Sequence, residues 1–405
     1  MTRTERQKLC YKRWIEAGGK ATIVATTGFG KTRLALNTID KFLTINDQTF
    51  VLIVVPTEVL KKQWIDQLIE RDLISNCRVE IINSVIKSDW ECDLLIQDEI
   101  HLYAADSFKR IFECVNYKFV MGLTGTLERL DGKEAIIKRY APVCDRITLK
   151  EAQDNGWVAP IKEYLVLLDV DLSEYNQLNN EFNRYFAYFG WDFAAAMKCA
   201  TNAVYRNKFA KVGGLNPGEV AGMAFGWMNT MRKRKEFVMK HPKKLEVCKK
   251  ILEARKDKKC ITFSATIEES QKIGTGFLVN SKQTKKKNAK IIEEFNSMDS
   301  GVINTNKALD QGVDIHGLSV GIILSTDSSK IRKGQRTGRI VRFEEGKTAE
   351  LFTLVINGTQ EVGWANNSAT NKFITINEKQ LDRVLSGESL ETRERESVTT
   401  YKYRF

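Results

Sequence analysis

The chain has 405 residues, 42% of them hydrophobic, more than one core of about 150 residues holds, so two sizeable domains are expected. Lys and Arg exceed Asp and Glu by 63 to 51, and the net charge of +12 suits a polyanionic partner such as nucleic acid. No apolar run nears the roughly 18 residues of a membrane span, the charged start has no signal-peptide core, and eight scattered cysteines with three histidines argue against a zinc site or disulfide framework.

A protein of a reducing cytoplasm, with no membrane partner, is therefore expected. Residues 1 to about 20 read as a helix carrying Arg6-Gln7, where a glutamine either offers its amide to an adenine edge or is an ordinary exposed helix residue. The apolar run Ala21 to Val24 then enters Ala25-Thr26-Thr27-Gly28-Phe29-Gly30-Lys31-Thr32, followed by the helical pattern Ala35, Leu36, Ile39, Phe42, Leu43. A strand turning into a helix through Gly-x-Gly-Lys-Thr is the setting of a phosphate-binding loop. Glycines let backbone N–H groups converge on an anion, the helix N-terminus adds positive potential, Lys31 reaches the β- and γ-phosphates, and Thr32 can ligate Mg²⁺. A nucleoside triphosphate is the expected ligand.

Phe50 to Val55 is apolar on both faces, as a central parallel strand is, and ends at Pro56-Thr57 before a helix that begins near Leu60. Thr57 either caps that helix or holds a nucleic-acid phosphate. A short strand at Val79 to Ile82 leads to Asn83-Ser84. Another, Asp93 to Gln97, runs into Asp98-Glu99-Ile100-His101. Beside a phosphate loop, two carboxylates at a strand end divide the chemistry between them, Asp98 holding Mg²⁺ while Glu99 orients and deprotonates the attacking water. Phe119 to Leu123 is a further strand, ending in Thr124-Gly125-Thr126, whose hydroxyls sit where hydrolysis can be sensed. Strands alternating with helices predict a doubly wound parallel sheet with ligands at the strand carboxyl ends.

From about Asp171 to Lys240 the pattern becomes long polar and aromatic helices. The stripe Phe182, Tyr185, Phe186, Tyr188, Phe189, Trp191, Phe193 reads chiefly as the inside of a helical arm, with base stacking as the alternative. The basic run Arg232-Lys233-Arg234-Lys235 is either a solvated face or a contact to a phosphate backbone. A second α/β unit starts at Lys259 to Ser264 and continues with a strand near Gly276 to Asn280, a helix at Thr284 to Met298, and strands at Gly301 to Asn304 and Val320 to Ser325. It has no phosphate loop. Its Arg336, Arg339 and Arg342 recur at three-residue spacing, and guanidiniums so arrayed can reach across a cleft to stabilise charge on a transferring phosphoryl group. A helix at Glu361 to Asn371, a short strand from Phe373 and a helix at Lys379 to Leu385 complete the pattern.

Taken in order, these segments resemble the motif set of superfamily 2 helicases of the DExH kind, over roughly residues 6 to 345. Ala25 to Thr32 resembles motif I, Pro56-Thr57 motif Ia, Asp98 to His101 motif II, Thr124 to Thr126 motif III, Thr305 to Asp314 motif V and Gln335 to Arg342 motif VI. The Thr-Gly-Phe-Gly-Lys-Thr loop and the Lys/Arg-rich helix look most like bacteriophage DNA branch-migration helicases of the UvsW-like type and their XPB-like relatives.

That resemblance implies an α/β fold of two tandem RecA-like parallel-sheet lobes with a helical insertion. Lobe 1 is expected at 1–150, a connector and insertion at 151–240, lobe 2 at 241–358 and an extension at 359–405. It also implies ATP and Mg²⁺ as cofactors. Gly28, Gly30, Lys31 and Thr32 would bind the triphosphate, with Gln7 near the base and Asp314 on the ribose. Asp98 and Thr32 would hold the metal, Glu99 would be the general base, Arg339 and Arg342 the arginine fingers, and Gln335 a γ-phosphate contact. Nucleic acid is expected against Pro56, Thr57, Ser84, Thr126, Arg232 and Thr305. The upstream glutamine element is reduced to Arg6-Gln7, and motif III reads Thr-Gly-Thr where relatives commonly have Ser-Ala-Thr. A monomer acting on forked, branched or single-stranded DNA is the expected form. The alternatives are a translocase subunit of a restriction nuclease, an RNA-remodelling helicase and a non-hydrolysing clamp.

Overall fold

The structure, a computed structural model, describes residues 1–127, 132–306, 315–326, 330–341, 346–368, 373–388 and 390. The first sheet contains β1 (Lys20–Ala25), β2 (Val51–Val55), β3 (Cys77–Ile81), β4 (Trp90–Asp98), β5 (Val115–Thr124) and β6 (Val143–Ile147), ordered β3-β2-β4-β5-β1-β6. All its pairings are parallel. β2 is buried along its whole length, because an interior parallel strand is covered by helices on both faces. Parallel pairing also brings every carboxyl end to one edge, which places the phosphate loop, Pro56-Thr57, Asp98-Glu99 and Thr124-Gly125-Thr126 side by side.

Helix α1 (Arg3–Glu16) opens with a capping box between Thr2 and Glu5 and buries Trp14, whose indole N–H donates to the Val120 carbonyl at 2.9 Å. Arg6 forks onto Asp145 of β6 and also donates to Glu151 at 2.8 Å, so it clamps α1 to the sheet edge. Helix α2 (Lys31–Ile45) follows the phosphate loop, and α3 (Glu58–Glu70) follows Thr57.

The second sheet contains β7 (Ile161–Leu168), β8 (Lys259–Phe263), β9 (Phe277–Val279), β10 (Gly301–Thr305), β11 (Leu318–Ile323), β12 (Ala349–Ile356) and β13 (Ile374–Asn377), ordered β13-β7-β12-β11-β8-β10-β9 and again parallel throughout. The stretch 151–240, read from sequence as connector and helical insertion, contains β7, paired in register with β12 from Ile161↔Ala349 to Leu168↔Ile356.

Between β7 and β8 stand the helices Ser173–Tyr188, Phe193–Thr201, Ala203–Gly213 and Pro217–Lys240. They bury Phe189, Cys199, Val220, Ala224 and Trp227, with Phe182 and Phe186 packed on that core. A Cβ at Gly226 would lie 2.6 Å from the Tyr185 ring, so the two long helices touch there through a glycine. The aromatic stripe thus mainly packs inward, while Trp191 and Phe193 stay about half exposed at the turn between helices. Among the described residues no helix is long and apolar enough to cross a membrane.

One buried ion pair ties the second lobe together. Lys244, 1% exposed, pairs with Glu361, 0% exposed, and also donates to the Leu324 carbonyl at 2.9 Å. Glu361 in turn accepts the Ile356 N–H at 3.0 Å. Burial pushes the lysine down and the glutamate up from their ordinary values, the mark of charges held at a desolvation cost. Lys244→Met is expected to destabilise the protein by about 3–5 kcal/mol, because the carboxylate would stay buried without its partner, whereas Lys244→Met with Glu361→Leu should recover most of that loss. Urea unfolding of the three proteins checks it; equal stability of single and double variants would refute it.

Candidate active site

The phosphate loop folds as its glycines dictate. Gly28 and Gly30 have φ of 88° and 93°, in the left-handed region that other residues avoid, and Gly30 caps α2. The loop is braced from below. Phe29 is fully buried against Trp157 with ring centroids 5.6 Å apart, and Arg3 donates to the Gly28 and Trp157 carbonyls at 3.4 Å. The Gln7 amide N–H₂ donates to the carbonyls of Phe29 at 3.0 Å and Gly30 at 3.2 Å. Gln7 therefore stands directly behind the loop, with Arg6 turned away into the Asp145 clamp.

Lys31 donates to the Ala25 carbonyl at 3.0 Å, its one hydrogen bond among the described residues. The other N–H donors of this ammonium are open, and Thr32 beside it is half-buried. Gly125 adjoins it, since a Cβ there would lie 3.9 Å from the Lys31 Nζ.

Asp98 ends β4 and is 7% exposed. One carboxylate oxygen accepts the Trp64 indole N–H at 3.0 Å and the other the Glu99 N–H at 3.0 Å. Burial, then the charge of Glu99, pushes its pKa up to about 6, against the pull of Trp64 and Lys31. Glu99 has φ of 51°, a turned backbone that aims its side chain off the strand. Burial would raise it, but the hydrogen bond from His101 and the charge of Lys31 outweigh that and hold it below the ordinary carboxylate value.

His101 connects this carboxylate to β5. Its Nδ1 lies 3.2 Å from Glu99 and 2.8 Å from the Thr124 hydroxyl. The Thr124 O–H donates to the Thr126 carbonyl at 2.7 Å, so that hydroxyl accepts from His101, which fixes the imidazole proton on Nδ1. Asp98-Glu99 and Thr124-Thr126 are thus joined through one imidazole.

The residues fit a triphosphate with Mg²⁺. Two carboxylates, one of them raised by burial and by its neighbour, stand within the charge of the Lys31 ammonium, a set of acceptors suited to a cation. Mg²⁺ takes one or two protein oxygens and completes its shell with phosphate and water, which the Asp98 carboxylate and the Thr32 hydroxyl are of a kind to supply.

The second lobe reaches the loop through the helix Lys330–Ile340. A Cβ at Gly338 would lie 2.2 Å from Thr27 Cβ, so this helix rests on the phosphate loop at a glycine. Just beyond, the Val341 carbonyl accepts the Ala159 N–H at 3.0 Å. Arg339 is 7% exposed and Gln335 half-buried. Arg336 is committed elsewhere: it donates to the Ser325 carbonyl at 3.2 Å and lies over the Phe263 ring. Asp314 and Arg342 lie outside the described residues.

The residues expected at nucleic acid fall in three places. Pro56, Thr57, Ser84 and Thr126 sit at carboxyl ends of the first sheet, half-buried, with Thr57 capping α3 through the Leu60 N–H at 3.3 Å. Thr305 ends β10 of the second sheet, fully buried, its hydroxyl without a hydrogen-bond partner among the described residues. Arg232 is exposed on the insertion and bonded to Asn229, while Arg234 of the same run turns inward over the Phe182 ring at 4.2 Å. Sequence reasoning missed Trp64 and Trp157. Trp64 follows the Thr57 cap by two helical turns, which puts it on the inner face and was a usable signal; nothing local marks Trp157.

Comparison with known proteins agrees with this geometry. Residues 1–90 and 80–129 match the model of the type III restriction enzyme res subunit, and 243–344 match the helicase conserved C-terminal domain. A DNA 3'-5' translocase XPB2 of Sulfurisphaera tokodaii is 24% identical over 379 residues, covering 86% of this chain and 80% of that protein. A putative ATP-dependent RNA helicase QP509L of African swine fever virus is 28% identical over 178 residues, 38% of this chain and about a third (34%) of that protein. Among solved structures, S. cerevisiae Dbp5 bound to RNA and ADP BeF3 superposes with TM-score 0.59 at 12% identity, covering 94% of this chain and 91% of that one, and supports the two-lobed fold. The type ISP restriction-modification enzyme LlaBIII bound to DNA superposes with TM-score 0.54 at 16% identity, over 87% of this chain and 27% of its own. With a type III restriction enzyme res-subunit domain and a helicase conserved C-terminal domain in this order on two parallel sheets, the chain has the domain set of superfamily 2 helicases, one that implies NTP-dependent helicase or ATPase activity.

Proposed function

We propose that the chain is an ATP-dependent DNA translocase that unwinds or branch-migrates forked and branched DNA, in the cytoplasm of a bacterium, as a phage replication, recombination or repair enzyme would. The observation that supports the motor reading is the seat of the 330–340 helix on the phosphate loop, where Gly338, the residue before Arg339, lies against Thr27. DNA is favoured because the XPB2 translocase aligns over most of both chains, whereas the African swine fever virus RNA helicase aligns over 38% of this one.

In this reading Gly28, Gly30 and Lys31 hold the triphosphate, and Gln7 sets the loop they stand on. Asp98 and Thr32 would hold Mg²⁺, which would supply screening of the phosphate charge. Glu99, kept ionised by His101, orients the water and takes its proton. Arg339, Arg342 and Gln335 close on the γ-phosphate, and Asp314 on the ribose. Thr57, Ser84 and Thr126 hold phosphates of one strand and Arg232 a further one, while Thr305, fully buried in this arrangement, is not among these contacts, so closing and reopening the lobes displaces one set of contacts against the other.

ATP turnover measured with single-stranded DNA, duplex, a four-way junction and RNA, at matched phosphate and salt, tests the substrate. Branched DNA is expected to stimulate most. Stimulation by RNA above every DNA would favour the RNA-remodelling reading instead.

A further inference from the structure

The segment expected to touch nucleic acid and the carboxylate expected to hold metal are joined by one side chain. Thr57 caps α3, so the first turn of that helix is fixed by the residue at the strand end. Trp64 lies two turns later on the inner face, 1% exposed, and its indole N–H reaches Asp98 at 3.0 Å. The other Asp98 oxygen is already taken by the Glu99 N–H. Both oxygens are thus oriented, one from the strand's own backbone and one from a helix that starts at the nucleic-acid edge. An indole has only two side-chain torsions and here sits in a fully packed core, so a shift of α3 moves the donor with it.

We infer that Trp64 is a positioning residue that couples nucleic-acid engagement at the start of α3 to the set of Asp98. The inference rests on the reading of Asp98 as the Mg²⁺ ligand. Hydrogen bonds to a ligating carboxylate orient it, and their loss commonly weakens metal binding about 10- to 100-fold.

The test is equilibrium binding of a fluorescent ATP analogue as Mg²⁺ is titrated, with and without a single-stranded oligonucleotide. In the natural protein Mg²⁺ should promote binding and the oligonucleotide should shift the half-saturating Mg²⁺ concentration. Trp64→Phe keeps an aromatic ring and removes the N–H; it should raise that concentration about tenfold and abolish the oligonucleotide-induced shift. Leu68→Ala, on the same helix and 0% exposed, removes packing but no hydrogen-bond donor; it should lower the Tm and leave the Mg²⁺ midpoint in place. Where Trp64→Phe does not fold, the sulfur isostere benzothienylalanine at position 64 preserves the bicycle without the donor and must give the same result. No Mg²⁺ dependence in the natural protein would refute the site reading itself. A midpoint unmoved by loss of the indole N–H, or moved equally by Leu68→Ala, would overturn the coupling alone.

Discussion

Lys31→Ala should lower nucleic-acid-stimulated ATP hydrolysis by about a thousandfold, the order lost when one preorganised charged donor is removed from a low-dielectric site. Lys31 is the ammonium whose charge bears on both Asp98 and Glu99, and its only hydrogen bond among the described residues, to the Ala25 carbonyl, leaves donors open for an anion. Its removal takes a counter-charge from two buried carboxylates as well as from the phosphates. The fold should tolerate the change, because Ala25, Phe29 and Leu34 remain packed and the loop stays braced by Gln7 and Arg3. The measurement is steady-state ATPase at saturating single-stranded DNA, with the thermal midpoint as control. A Lys31→Ala protein that turns over ATP at the natural rate would show that hydrolysis occurs elsewhere.

Much of this site was legible because its chemistry is local. Gly28, Gly30, Lys31 and Thr32 lie within five positions, and the left-handed φ of both glycines is what such a loop requires. Asp98 and Glu99 are adjacent at a strand end, and β2, β4 and β5 are apolar enough to be read directly. What escaped depends on partners far along the chain. β7 begins Ile161-Lys162-Glu163, polar enough to pass for connector, and its strand character is settled by pairing with β12 almost two hundred residues later. β6 is short and half-buried for the same reason, lying at a sheet edge. The place of Gln7 was equally invisible: the sequence offers an exposed helix residue or a contact to the base, whereas the side chain is buried, which overturns the exposed reading, and its amide supports the carbonyls of Phe29 and Gly30. Arg336 shows what periodicity leaves open: three-residue spacing puts it on one side of a helix with Arg339, while its hydrogen bond to the Ser325 carbonyl and its place over the Phe263 ring come from the folded arrangement.

Gly338→Ala should leave nucleotide binding within about twofold and lower hydrolysis by about 10²-fold or more, because an arginine-finger contribution to NTP hydrolysis is about 10³–10⁵ in rate and depends on placement. In a helix interior Ala is favoured over Gly by about 1 kcal/mol, so the 330–340 helix gains nothing of its own from a glycine there. The three atoms nearest an added Cβ are all in Thr27, at 2.2 to 2.6 Å, and no atom of the second lobe is among them. The nearest clash is therefore between lobes, and its relief is expected to separate this helix, with Arg339, from the phosphate loop. Gly334 supplies the control: it lies on the same helix with nothing within 4 Å, so Gly334→Ala should be neutral or mildly stabilising. Thr27→Gly removes the three clashing atoms and should restore part of the activity to Gly338→Ala, which separates a steric cause from a general loss of loop function. Single-turnover hydrolysis with a fluorescent-analogue binding curve for each variant decides it. If Gly338→Ala hydrolyses as fast as the natural protein, the seat of this helix on Thr27 is not the contact through which the second lobe acts.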